Sequence, residues 1–260
     1  MLAEIYQIIC EYINDHTLSI YIMKTYAKRK FKCYHGWCCD NKWCESIHKN
    51  IIDDNELFYL SNRIIHITLS KTININMLRS ISVTHITFDN DFNEKMDNIL
   101  PITIKYLRFG HKFNKKIENL PKNLETLILG RSFNKTLKNL PNNLKHLEIG
   151  DNNIDDINIP KKYMKNKFDH VINCVPDSIQ YLVIGCKFQR YIRTLPESLL
   201  HLELGDSFNR YINVYPRNLR YIKFGSRFNQ HIDNLPYTVR EIHFGYEYNQ
   251  YVTIWPTELE

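Results

Sequence analysis

Residues Pro121 to Leu140 read PKNLETLILGRSFNKTLKNL, with apolar anchors at Leu124, Leu127, Leu129, Phe133, Leu137 and Leu140. Leu127-Ile128-Leu129 has the period of two expected of a short strand, and it ends at Gly130, a residue free to take positive φ. Pro121 opens the next turn at a place where no backbone donor is needed. One strand and a few spaced anchors cannot bury a face alone. Stacked on copies of itself at about 4.8 Å per strand, the unit can.

The copies are there. Pro101, Pro121 and Pro141 are spaced evenly, as are Pro176, Pro196, Pro216, Pro236 and Pro256. Gly110, Gly130 and Gly150 keep the same interval, and so do Gly185, Gly205, Gly225 and Gly245. Of the 8 Gly and 9 Pro, only Gly36 and Pro160 stand outside the scheme. The expected fold is a leucine-rich-repeat-like solenoid of 20-residue repeats, with a parallel β-sheet on one side and an irregular outer side. Weaker copies appear earlier, at Ile64, Ile67 and Leu69, and at Val83, Ile86 and Phe88. The repeat region is therefore drawn over 61–260, about nine turns.

A Phe-Asn pair recurs at Phe113-Asn114, Phe133-Asn134, Phe208-Asn209 and Phe228-Asn229, with Phe188-Gln189 and Tyr248-Asn249 as variants. Stacked aromatics predict a spine beneath the outer side, and stacked Asn side chains a cap for backbone groups left open by tight turns. Between Gly150 and Phe168 the register slips and then resumes, which places an insertion at 151–167, projecting from one edge of the stack. It reads as a tolerated surface loop or a partner-contact loop.

Phe113-Asn114-Ile117-Pro121, Phe133-Asn134-Leu137-Pro141, Phe208-Asn209-Ile212-Pro216 and Phe228-Asn229-Ile232-Pro236 closely resemble the FNIP repeat family of slime moulds and giant DNA viruses. Its repeats often follow an F-box. The N-terminus resembles one: Ile5, Ile8, Ile9 and Tyr12 share a helical face, Asn14-Asp15 breaks it, and Leu18 and Ile22 begin a second amphipathic helix. The F-box's opening Leu-Pro is replaced by Met1-Leu2, and Lys24–Lys32 matches its third segment loosely. The resemblance implies a small α-helical domain over 1–60. Ile5, Ile8, Ile9, Tyr12, Leu18 and Ile22 would bind the Skp-type adaptor of a cullin ubiquitin ligase, and the solenoid would capture a protein for ubiquitination. The alternative is an interaction scaffold whose N-terminus only caps the first turn.

On the strands, one outward column reads His66, His85, Tyr106, Thr126, His146, Tyr181, His201, Tyr221 and Glu241. Its neighbour is mixed and includes Arg108, Ile128, Glu148, Val183, Glu203 and Lys223. Tyr106, Arg108, His146, Tyr181, His201 and Tyr221 are the candidate partner-binding residues, since Tyr supplies contact area and a hydrogen bond together. Cross-strand stacking that serves only the sheet is the competing reading.

Cys33, His35, Cys38, Cys39, Cys44 and His48 offer thiolate and imidazole ligands, but their spacing does not match zinc knuckles. Cys33, Cys38, Cys44 and His48 stay weak metal candidates, and no cofactor is expected. Residues 101–145 hold ten basic residues against Glu118 and Glu125, more than the whole +6 surplus of the chain. A solvated surface, an acidic partner and a phosphate backbone all fit such a patch. Nucleic acid is not expected, because the patch is confined to a few repeats. Every repeat Gly is accounted for and no nucleophile motif accompanies the histidines, so an enzyme is not expected. No apolar run approaches the ~18 residues of a membrane helix and no signal-peptide layout is present, which predicts a cytoplasmic protein (host cytoplasm if viral) with reduced cysteines.

Overall fold

The computed structural model describes residues 48–51, 66–69, 78, 83–96, 98–150, 167–172 and 175–260, all within the unit Ile47–Glu260. Ten short strands form one sheet: β1 His48–Ile51, β2 His66–Leu69, β3 His85–Phe88, β4 Tyr106–Arg108, β5 Thr126–Leu129, β6 His146–Ile149, β7 Tyr181–Ile184, β8 His201–Leu204, β9 Tyr221–Lys223 and β10 Glu241–His243. Their order in the sheet is their order in the chain, and each pairs with the next in parallel. This is a solenoid wound one strand per turn. The sheet begins at His48, ahead of the expected boundary at 61. The F-box-like helices with Ile5, Ile8, Ile9, Tyr12, Leu18 and Ile22, the cysteines Cys33, Cys38 and Cys44, and insertion residues 151–166 lie outside the described residues. Of His48 only the strand backbone is described.

The register follows the side-chain columns. Pairing joins His85 to Tyr106, Tyr106 to Thr126, Thr126 to His146, His146 to Tyr181, Tyr181 to His201 and His201 to Tyr221. The second strand position points inward: Ile86, Leu107, Leu127, Leu147, Leu182, Leu202 and Ile222 are fully buried.

Beneath the sheet the Phe-Asn phenylalanines stack in one line. Phe92, Phe113, Phe133, Phe168, Phe188, Phe208, Phe228 and Tyr248 lie 5.8–6.3 Å apart, centroid to centroid. The spine runs across the insertion unbroken. The asparagines beside it do what their spacing predicts. Asn114 N–H donates to Asn93 Oδ1 at 2.9 Å, Asn134 N–H to Asn114 Oδ1 at 2.9 Å, Asn229 N–H to Asn209 Oδ1 at 3.0 Å and Asn249 N–H to Asn229 Oδ1 at 3.1 Å. Asp169 fills the same slot after the insertion, accepting from Gln189 N–H. In these turns the side chain thereby satisfies a donor that the irregular outer backbone would leave open.

The glycines correct the sequence reading. Among the described repeat glycines only Gly150 has positive φ, 106°. What Gly110, Gly130, Gly205, Gly225 and Gly245 share is a need for room. A Cβ on Gly130 would sit 2.1 Å from the Gly110 carbonyl oxygen, and one on Gly245 2.0 Å from that of Gly225. Successive turns approach so closely here that only hydrogen fits between them. Positive φ falls instead on Asn98, Asn119 and Asn139, a residue type that tolerates it.

The prolines begin i→i+3 turns, in which Leu124 N–H donates to Pro121 O and Leu199 N–H to Pro196 O. Two residues after the repeat prolines from Pro101 to Pro236 stands a short hydrogen-bonding side chain. Thr103, Asn123, Asn143, Ser178, Asn218 and Thr238 donate to carbonyls of the turn before. This second ladder stitches neighbouring turns together.

Candidate functional site

The strand alternation that buries the core puts His, Tyr and charged residues on the open sheet face. Parallel pairing in register then brings equivalent rings together. His146 and Tyr181 stack at 4.2 Å, Tyr181 and His201 at 3.9 Å, and His201 and Tyr221 at 4.0 Å. Beyond Tyr221 the first column changes to Glu241, and the ring next in line is His243, 5.2 Å away and tilted.

The rings do not run unbroken along the outward column. Thr126 on β5 breaks the run, leaving His85 and Tyr106, stacked at 5.4 Å, as a separate pair. Tyr106 is buried, with 9% of its surface exposed, whereas His146, Tyr181, His201 and Tyr221 are half-buried. Arg108, half-buried, sits two positions from Tyr106 on β4. The structure therefore unites four of the six candidates and places Tyr106 and Arg108 apart from them.

The neighbouring column adds a polar centre that the sequence reading left in its mixed list. Glu203 Oε1 accepts from Tyr181 O–H at 3.2 Å and lies 2.9 Å from His201 Nε2, while Lys223 Nζ donates to Oε2 at 3.2 Å. Burial alone would raise the Glu203 pKa; the His201 hydrogen bond and the Lys223 charge outweigh it and hold the carboxyl down at about 2. An ionised Glu203 requires the proton on His201 Nε2, which fixes the ring against Tyr181 and Tyr221. Burial, then the Glu203 charge, push the Tyr181 hydroxyl well above its usual range, and the same causes with Glu241 bring Tyr221 up to about 12. Both phenols thus stay protonated donors. His146 and Glu148 repeat the His201-Glu203 spacing on β6, at a looser 3.9 Å.

Two residues expected to face outward are covered. Ile128 and Val183 are 8% and 3% exposed although they share the outward column. Register sets Ile128 between Arg108 and Glu148, and Val183 between Glu148 and Glu203. The flanking residues in the register all carry longer side chains than the aliphatic ones between them. The face is therefore apolar at depth, polar at its rim and held in shape by its own stacking.

The basic patch is split. Lys105 and Lys145 flank Glu125 at 3.3 and 3.4 Å, and Lys112 pairs with Asp91. Lys115, Lys116 and Lys135 instead line a cleft on the outer edge with Lys95, a residue just before the counted patch. Among the described residues no group of side chains could hold a metal ion, and no helix is long and apolar enough to cross a membrane.

One parallel strand per turn, a phenylalanine spine and an open sheet face define a leucine-rich-repeat-like solenoid, the architecture of a protein-interaction scaffold. A family model described as FNIP Repeat matches residues 80–112, 113–152, 188–227 and 208–247. The chain belongs to the FNIP-repeat family. Among solved structures, YopM from Yersinia enterocolitica WA-314 is similar over 72% of this chain and 38% of its own, with 19% identity and a TM-score of 0.45. The chain thus spans well under half the length of that protein. No curated protein matches it.

Proposed function

We propose that this chain is a non-catalytic adaptor of a cullin-type ubiquitin ligase, acting in the cytoplasm. The sheet face of the solenoid captures a protein, and F-box-like helices within 1–60 dock the Skp-type adaptor. The observation that carries the capture half is the preorganised strip His146-Tyr181-His201-Tyr221 around Glu203. Rings already locked by stacking and hydrogen bonds lose little rotamer freedom when a partner lands on them, and Tyr is among the residues most enriched at binding hot spots. Chemistry then belongs to the recruited ligase.

A plain scaffold is the second reading, favoured by β1, which contributes His48–Ile51 to the sheet from within the segment assigned to the helical domain. Titration of the purified chain with purified Skp-type adaptor separates the two. The adaptor reading predicts a stoichiometric complex that is lost in Ile9→Asp while the repeats stay folded. Absence of binding by the unaltered chain, or unchanged binding by Ile9→Asp, leaves the scaffold.

A further inference from the structure

On the outer edge, the two residues after each spine Phe-Asn pair stand outside the stack. Three consecutive turns put lysines there: Lys95, then Lys115 and Lys116, then Lys135. Together with Asn114 and Glu118 they line one half-open cleft of about 450 Å³. Nearby, Lys105 and Lys145 share Glu125, and Lys112 pairs with Asp91. Among the described residues these four make no ion pair, and Glu118 is the one carboxylate lining the cleft.

The cations are held at close quarters by a rigid support. Phe92, Phe113 and Phe133 stack directly beneath these turns, at 6.1 and 6.2 Å. The Asn93-Asn114-Asn134 hydrogen bonds fix the backbone at the foot of each lysine. Like charges one turn apart, at about 4.8 Å between backbones, repel one another, and an anion placed between them relieves that repulsion. Flexible ammonium groups serve phosphate as movable point charges.

The extent of the cluster selects the ligand. In the turn after Lys135 the equivalent positions are His170, whose Nε2 lies 3.2 Å from the Asn134 carbonyl oxygen, and Val171. Further on, Arg190 is bound to Asp169 at 2.9 Å and Arg210 lies over the Tyr191 ring at 4.9 Å. At these positions the run of lysines thus spans only three turns, about 10 Å. Among the described residues that line it, the cleft carries no aromatic side chain on which a base could stack. An extended nucleic-acid strand needs both a continuing stripe and stacking partners; a small molecule with several clustered phosphates needs neither.

We propose that the cleft of Lys95, Lys115, Lys116 and Lys135 is a binding site for a compact polyphosphate anion, inorganic or esterified. The site is independent of the sheet face, so occupancy there neither requires nor tests partner capture.

Isothermal titration of the full chain with tripolyphosphate, orthophosphate and a single-stranded oligoribonucleotide tests it. Tripolyphosphate should bind at least ~10-fold more tightly than orthophosphate, with an affinity that falls steeply as salt rises through about 150 mM. Lys115→Gln combined with Lys135→Gln should weaken it by ~10-fold or more, as expected for removing two charge-assisted contacts. Lys105→Gln combined with Lys145→Gln, which removes only cations already paired with Glu125, should leave it unchanged. Circular dichroism verifies that both variants remain folded. Equal binding of tripolyphosphate and orthophosphate, equal losses in the two variants, or tighter binding of the oligoribonucleotide would each overturn the proposal.

Discussion

Phe133 and Phe168 stack with ring centroids 6.2 Å apart and planes 16° from parallel, at the same centroid spacing that joins Phe113 to Phe133, whose planes lie 4° apart. The chain between Phe133 and Phe168 carries the insertion, yet the spine registers no gap. A solenoid turn closes on its own anchors, so extra chain can leave and return at its edge without shifting the turns on either side.

A central spine residue should therefore matter far more than its exposed neighbours. Phe133→Ala is expected to cost about 3–5 kcal/mol, the range for emptying a buried aromatic site. Thr136→Ala, on the exposed side of the same turn, should stay within about 0.5 kcal/mol. Urea denaturation followed by circular dichroism measures both, and a loss below about 1 kcal/mol for Phe133→Ala would be incompatible with the spine.

Gly130 tests the close approach of turns. Its Cβ would meet the Gly110 carbonyl oxygen at 2.1 Å, and backbone cannot swing aside as a side chain can. Gly130→Ala should destabilise by about 1–3 kcal/mol or more, the usual cost of overpacking. The same denaturation assay reads it, and a neutral result would mean that adjacent turns are further apart than described.

The Asn ladder predicts a chemical preference at fixed size. Asn209→Ala removes the acceptor for Asn229 N–H and should cost about 1 kcal/mol, a typical hydrogen-bond contribution. Asn209→Asp keeps the acceptor and should be close to neutral, as Asp169 serves its own turn. Thermal unfolding of the two variants side by side distinguishes loss of the oxygen from loss of the amide.

Much of this fold was legible because geometry forces one residue type at one place in every turn. Glycine is forced by backbone contact, proline by the turn that opens each repeat, and phenylalanine by the spine. The reason for the glycines was misread, since freedom of φ and lack of a Cβ leave the same mark in a sequence. The ladder two residues after proline escaped notice because Thr, Asn and Ser share a single task there. The sheet-face columns were placed correctly, but Glu203 was not singled out: its partners come from β7, β8 and β9, and its own column varies from turn to turn. The signal that could have found it is the repeated His-Leu-Glu of His146–Glu148 and His201–Glu203. Lys95 was missed by counting charge in a window of sequence, whereas the cleft gathers charge by turn.

Glu203 gives the sheet face a pH signature. Its folded pKa of about 2 lies below the ordinary 4.5, so its ionised form stabilises the protein above about pH 4.5 and that stabilisation is lost as pH falls toward 2. The gap in urea midpoint between the unaltered protein and Glu203→Gln should be largest near neutral pH and close progressively below about pH 4.5. A gap independent of pH would mean that the His201-Glu203-Lys223 cluster contributes no charge-dependent stability.

The central functional claim is that a protein partner lands on the sheet face, and site-specific photo-crosslinking in cells tests it most directly. A photoreactive residue replaces Tyr221 on the sheet face in one variant and Tyr211 on the outer side of the preceding turn in another. The account predicts one discrete crosslinked protein from position 221, abolished by adding Tyr181→Ala and His201→Ala, and none from position 211. A discrete crosslink from position 211 with none from position 221 would contradict it.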